Sequence, residues 1–224
     1  MATSGSIDWS LTARQVITSA LQRINMLAEH ETPSAEMAAR AMREMNYMLK
    51  GWQKYENLWR LTEGSITLTN ATASYALSPV PHKVISARYR NSAGTDLPME
   101  QLTREEYYDM PVKTSAGIPT QYYVDYQRAA VTVYTWPVLA TVTTETVKYT
   151  FQRKFEDIDA LENDIDVKAE HLEVVDFNLA ARLSDCYGRS GEHINRVIAR
   201  AQILLNDALN DDREDYIQFV PDHR

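Results

Sequence analysis

The chain has 224 residues, a formal net charge of −8 at pH 7 and a single cysteine. That length buries a sizeable core in one large domain or two small ones without disulfides or metals, and the lone Cys186 excludes both a disulfide framework and a site of several cysteine ligands. The acidic balance argues against wrapping nucleic acid, which takes clustered Lys and Arg to neutralise phosphates, and no signal-peptide pattern or long uncharged apolar run marks a secreted or membrane-spanning chain.

Met1 to Ser10 reads as a flexible lead with Ile7 and Trp9 as docking side chains. Val16, Ile17, Ala20, Leu21, Ile24 and Leu27 recur at helical spacing and predict a helix from about Leu11 to Glu29. After a break at His30 and Glu31, Thr32 as N-cap and Pro33 at the first helical position open a second helix that runs towards Trp59. Its residues Met37, Ala41, Met45, Met48, Trp52 and Tyr55 follow at intervals of four, four, three, four and three, a single stripe that must be buried, with Trp52 at its centre. Ala38, Met42 and Leu49 widen that face, so the helix needs more than one neighbour. The short connection predicts that the two helices are antiparallel neighbours.

Beyond Trp59 the period changes from 3.6 to 2, and strands are predicted at Ser65 to Thr69, Val84 to Arg90, Thr120 to Tyr126, Ala130 to Trp136 and Glu145 to Phe151. Gln127 to Ala129 closes a tight hairpin. Thr103 and Glu106 have capping-box spacing, which predicts one helical turn before Pro111. The acidic stretch Phe155 to Lys168 lacks a sustained apolar period and reads as a surface crossing. Two further helices follow, Ala169 to Tyr187 with Leu172, Val175, Leu179 and Leu183, and Glu192 to Asn210 with Ile194, Val197, Ala201, Leu204 and Ala208. Gly188 serves as a C-cap between them. The final stretch alternates Tyr216, Gln218 and Val220 with Ile217 and Phe219 after a charged run.

The expected fold class is α+β: a helical bundle of two helix hairpins with an inserted, mainly antiparallel β domain. Residues 1–60 form the N-terminal helical part, 61–155 the β domain, 156–210 the C-terminal helical part and 211–224 a C-terminal arm.

Catalytic signatures are scarce. No GxSxG elbow, HExxH or Gly-rich phosphate loop occurs, and His30, His82, His171, His193 and His223 are scattered, which fits surface or capping roles. Cys186 stands where the apolar face of its helix ends and reads as a packed thiol. Asp157, Asp159, Asp164 and Asp166 lack the glycine turn and final Glu of a calcium loop. Tyr122, Tyr123, Tyr126, Tyr134 and Trp136 have Arg128 as the only cation between Lys113 and Lys148, so sheet core and interface suit them better than base stacking. The expectation is a chain without catalytic, cofactor-binding or metal-binding residues.

Several segments, in order, carry a resemblance: RINMLAEHETPSAEMAARAMREMNYMLKGW, then LW before the first strand, LPMEQLTREEYYDMPVKTSAGIPTQYYVDYQ, VYTWPV and HLEVVDFNLAARLSDCYG. Together they resemble the head-to-tail adaptor proteins of tailed bacteriophages, the tail accessory or tail tubular protein A-like group, from about Leu11 to Asn210. The resemblance implies a structural virion protein without cofactor, assembled in the host cytoplasm as a dodecameric ring at the head-tail interface. Its partners would be the portal protein and a tail nozzle or tail tube protein, with DNA passing through the lumen during ejection. It also implies a portal-reaching C-terminal segment, which falls on Tyr216, Ile217, Phe219 and Val220; the other reading of this segment is that it folds back on its own subunit. The competing function is a tail-associated peptidoglycan hydrolase using acidic residues of the crossing; a DNA-binding regulator is disfavoured by charge.

Overall fold

A computed structural model describes residues 5–55, 60–140 and 144–211. The described chain is α+β, with five α-helices and one seven-stranded mixed sheet, and it divides into two compact units. Among the described residues, those between Arg60 and Lys154 form the sheet unit, and the others form the helical unit. Among the described residues no helix is long and apolar enough to cross a membrane.

The helical unit contains α1 (Ala13–Arg23), α2 (Ala35–Trp52), α4 (Leu172–Cys186) and α5 (Glu192–Asp211). Its centre is α4, which touches α1, α2 and α5, and α1 lies more extensively against α4 than against its sequence neighbour α2. Leu172, Val174, Val175, Leu179, Ala180 and Leu183 are all buried, so α4 is apolar on more than one side, as a helix with several neighbours must be. Asp176 and Ser184 are the buried polar residues of α4, and Asp176 is the charged one. The Asp176 carboxylate accepts from Ser19 Oγ at 2.9 Å and from Arg23 Nε at 2.8 Å, which ties α4 to α1. Burial pushes its pKa up, and the Arg23 guanidinium opposes that rise.

Two helix boundaries differ from the sequence expectation, for identifiable reasons. Helix α1 ends at Arg23 and not near Glu29, because Asn25 takes a left-handed φ of 55°. Its N–H donates to the Gln22 carbonyl and that of Met26 to the Leu21 carbonyl, the paired bonds of a Schellman stop. Helix α2 begins at Ala35, since Ser34 rather than Thr32 accepts the Met37 N–H. Residues 56–59, assigned to that helix from sequence, lie outside the described residues. Within α2, Ala41, Met45, Met48 and Trp52 are buried. At the far end of α4, Gly188 takes the left-handed position, and the same pair of bonds runs from its N–H to the Asp185 carbonyl and from the Arg189 N–H to the Ser184 carbonyl.

The acidic stretch after residue 154 does more than cross the surface. Phe155, Ile158 and Ile165 are buried in the helical core. Carbonyls of Leu161 and Asn163 accept the N–H groups of Arg14 and Ala13, while the Thr12 side chain takes that of Gln15 and the Gln15 side chain that of Thr12. The four orphan donors at the start of α1 are thereby satisfied. Asn46 of α2 exchanges two hydrogen bonds with the Ile158 backbone, donating at 2.9 Å and accepting at 3.0 Å.

The sheet unit holds β1 (Leu61–Thr67), β2 (Ser74–Ala76), β3 (Lys83–Arg90), β4 (Asp96–Gln101), α3 (Arg104–Asp109), β5 (Gln121–Tyr126), β6 (Val131–Trp136) and β7 (Thr146–Gln152). The spatial order is β1-β7-β3-β4-β5-β6-β2. All neighbours are antiparallel except β4 and β5, whose parallel pairing needs the long crossover that contains α3. Strands β2 and β4 were not expected from sequence. The edge strands β1 and β2 are consecutive in the chain, joined by residues 68–73. Six inter-strand spacings of about 4.8 Å would separate them by about 29 Å in a flat sheet, further than the roughly 25 Å that the linking chain can span. The sheet must therefore curl.

Its inner face carries Ile66, Val84, Tyr89, Met99, Tyr122, Val133, Val147, Tyr149 and Phe151. Gly64 sits directly opposite Tyr149, and a Cβ at Gly64 would overlap the Tyr149 ring. Only glycine leaves room for that aromatic to cover the strand. Helix α3 is pinned to the other face of β5 and β6 by Tyr107, which stacks on Tyr123 with centroids 5.2 Å apart. Thr103 and Glu106 form the expected capping box at its start.

Replacing Asn46 by Ala leaves the backbone N–H and carbonyl of buried Ile158 without these partners. Asn46→Ala is expected to destabilise the protein by about 2 kcal/mol, read as a lower urea midpoint with an unchanged m-value.

Candidate interaction surfaces

The four residues expected to dock on a partner, Tyr216, Ile217, Phe219 and Val220, lie outside the described residues. The surfaces of the two described units are therefore the material for a functional reading.

The acidic crossing places Glu156, Asp157, Asp164 and Asp166 around a small cavity of about 240 Å³. Most of these carboxylates have structural duties. Asp157 pairs with Lys50 at 2.7 Å, Asp166 accepts the Glu156 N–H at 3.1 Å, and Asp164 accepts from Ser10 at 3.4 Å. Among the described residues no group of three or more His, Cys, Asp or Glu is arranged to hold a metal ion. His193 donates through Nε2 to the Arg23 carbonyl at 2.7 Å and so caps the end of α1. His171 is buried, contrary to a surface role. Burial lowers the His82 pKa, and the nearby cations Arg60, Lys154 and Lys83 act in the same direction. Cys186 is exposed rather than packed, because it follows the last buried turn of α4. Burial in its partial cover raises the thiol pKa, and Glu44 beside it adds to that, so the thiolate is disfavoured.

The tyrosines of β5 and β6 divide between faces. Tyr122 lies in the sheet core, where burial raises its pKa to about 12, while Tyr123 lies beneath α3. The Lys113 ammonium lies 5.4 Å from the Tyr107 ring centroid and donates to the carbonyls of Tyr108 and Met110. Trp136 Nε1 donates to the Val112 carbonyl and holds the following loop. Helix α3 and this loop nevertheless turn apolar side chains outward: Tyr108, Val112 and Ile118 are each more than half exposed. In the helical unit Trp9, Tyr47 and Ile203 are similarly exposed.

The outer face of the sheet is charged. Residues directly opposite across β1, β7, β3 and β4 share a face, so Glu63, Lys148, Arg88, Arg90 and Asp96 all point away from the core. Arg88 reaches both Glu63 and Asp96, and Arg90 holds Asp96 at 2.6 Å. This is a cross-strand ladder of alternating charge.

The helical unit also has an open groove of about 470 Å³ between α2 and α5, floored by α4. It was not foreseen from sequence, because its walls are about 150 residues apart in the chain.

No family model matches this chain, and no curated protein matches it. Among solved structures it is similar to a chain described as the neck of an empty gene transfer agent particle computed with C6 symmetry, at 12% identity and a TM-score of 0.30, over 84% of this chain and 93% of that one. A chain from the virion of a native gene transfer agent particle gives 13% identity and a TM-score of 0.31, over 94% and 96% of the two chains. TM-scores this low do not establish a shared fold.

The charged face yields a pH test. Hydrogen bonding to Arg90, with Arg88 adding to it, lowers the Asp96 pKa to about 2. A depressed carboxylate pKa contributes stability above its unfolded value near 4, and that contribution is lost as pH falls through about 2. Asp96→Asn is therefore expected to be less stable than the wild-type chain at neutral pH, with the gap closing between about pH 4 and pH 2 in paired urea titrations; the site is solvent-exposed, so added salt narrows the gap as well.

Proposed function

We propose that this chain is a structural protein of a tailed-phage-type virion, placed at the neck, where copies form a ring that joins the portal to the tail. The observation that carries this reading is the ordered set of segments between Leu11 and Asn210 that resembles head-to-tail adaptors. The build of the chain supports it: a helical unit drawn from two sequence-distant stretches, interrupted by a contiguous β unit, is what that resemblance implies. Exposed apolar side chains held on ordered elements, such as Tyr108, Val112 and Ile118, suit a protein whose work is done through interfaces.

In the finer form of the proposal the ring is a dodecamer, its lower partner is a tail nozzle or tail tube protein, and Tyr216, Ile217, Phe219 and Val220 dock on the portal. The net charge of −8 suits a lumen through which a duplex slides without being gripped. Ring symmetry multiplies a weak contact, so a short apolar docking segment on each copy is enough to hold the assembly.

Mixing the purified chain with portal rings and weighing the product tests this. The full chain is expected to join the portal as a ring, whereas a chain ended at Asp211 keeps its circular dichroism and remains unbound. Attachment of the shortened chain at unchanged occupancy contradicts the docking role of residues 216–220, and failure of the full chain to bind portal contradicts the adaptor reading itself.

A further inference from the structure

Helix α2 turns a charged stripe away from the core. Arg40, Arg43, Tyr47, Lys50 and Lys54 recur at intervals of three, four, three and four, so they share the face opposite Met45, Met48 and Trp52. Arg40, Arg43 and Lys54 are exposed, and Tyr47 keeps 60% of its surface open to solvent. In a chain of net charge −8 this is a concentration of cations, with an aromatic ring at its centre.

The acidic crossing lies along one flank of this stripe. Asn46 holds the Ile158 backbone, and Lys50 pairs with Asp157 at 2.7 Å, so the crossing runs beside α2 in the opposite direction. Asp157 serves Lys50 and Glu162 serves Arg14. The carboxylates of Glu156 and Asp159 are exposed and have no hydrogen bond or ion pair among the described residues, and the same holds for the Arg43 guanidinium. A basic stripe and an acidic stripe therefore lie side by side on one surface of the helical unit.

We propose that this surface pairs with the same surface of a second copy of the chain. A nucleic-acid backbone fits it poorly, because Glu156 and Asp159 repel the phosphates that Arg43 and Lys54 attract. A second copy fits it by symmetry. Half a turn about a line that runs parallel to α2, between the two stripes, lays each basic stripe on the acidic stripe of the other copy and keeps every residue at its height along the helix. Asp159 follows Ile158, which stands level with Asn46, so Asp159 of one copy meets Arg43 of the other. Glu156 precedes Asp157, which stands level with Lys50, so Glu156 meets Lys54. Tyr47 is enclosed between these two ion pairs.

The 18 residues of α2 are about 27 Å long and the two stripes together about 20 Å wide, so the contact covers about 1,100 Å² counted on both copies, near the lower limit for a specific interface. Pairing is therefore reversible, in the micromolar range. A two-fold contact closes on itself, whereas a ring needs head-to-tail contacts, so the pair belongs to the free chain and does not rest on the ring reading.

The test is sedimentation equilibrium of the full-length chain without portal. The wild-type mass is expected to rise from one chain towards two as the concentration approaches about 100 μM, and to fall back when salt is added. Arg43→Glu and Asp159→Lys each bring like charges together at two symmetric places and are expected to weaken pairing roughly ten-fold or more. Both changes in one chain restore opposite charges, and pairing recovers to within about three-fold of the wild type. Tyr47→Ser is expected to weaken pairing without altering charge. Circular dichroism checks that each variant keeps its fold, as exposed positions allow. A wild-type chain that stays single at that concentration overturns the proposal, and so does a doubly substituted chain that pairs no better than the single variants. Association that none of the substitutions weakens overturns it as well.

Discussion

The structure depends on burying one helix, α4, that enters the chain only after the whole sheet unit has been made. Leu172, Val174, Val175, Leu179 and Leu183 are each nearly free of solvent, and burying such a side chain is worth about 1.5 to 3 kcal/mol. A domain's net stability is only about 5 to 15 kcal/mol, so losing two or three of these contacts is enough to unfold the helical unit. Helices α1 and α2 have no other helix to cover the faces they turn to α4. Helices α1 and α2 therefore cannot complete a core until residues 155–211 return.

The return is prepared by the segment that looked least structural. Phe155, Ile158 and Ile165 bury themselves, two of its carbonyls finish the first turn of α1, and Asn46 binds its backbone as a neighbouring strand would. Each of these contacts uses backbone polarity or a single apolar side chain, so the surrounding residues are free to be acidic. The sheet unit solves a separate problem. Its curl brings consecutive edge strands within reach of each other and leaves one face to the core and the other to the ladder of Glu63, Arg88, Asp96 and Arg90. The surface of the described residues also carries exposed apolar side chains, such as Tyr108, Val112 and Ile118, and an open groove between α2 and α5.

Much of this was legible in the residues. The stripe through Met45, Met48 and Trp52 is buried, the period change after residue 59 falls close to the unit border, and Thr103 with Glu106 marked α3 correctly. The losses have physical causes. Strand β4 contains Pro98, which argues against a strand, yet it pairs with β3 along four positions; β2 is only three residues long and has no room to display a period. The end of α1 was marked by Asn25, a residue that tolerates a left-handed φ, but the apolar spacing continues through Leu27 and hid the stop. The groove was invisible because it belongs to no single segment. Met48, Trp52 and Tyr55 on α2 read as a core stripe, Ile198 and Leu205 on α5 stood outside the stripe read there, and only packing brings the two sets together.

The central claim is that two sequence-distant stretches form one core around α4, and a splice tests it most directly. The sheet unit begins and ends side by side, since the Arg60 carbonyl accepts the Arg153 N–H at 2.9 Å and β1 pairs with β7 from there on. A short Gly/Ser linker can therefore replace residues 61–152 without stretching the chain. Thermal melting of that splice, followed by far-ultraviolet circular dichroism, should show the helix content of α1, α2, α4 and α5 and a single cooperative transition. A spliced chain that is largely unfolded, or that melts without cooperativity, would contradict a core made by these two stretches alone.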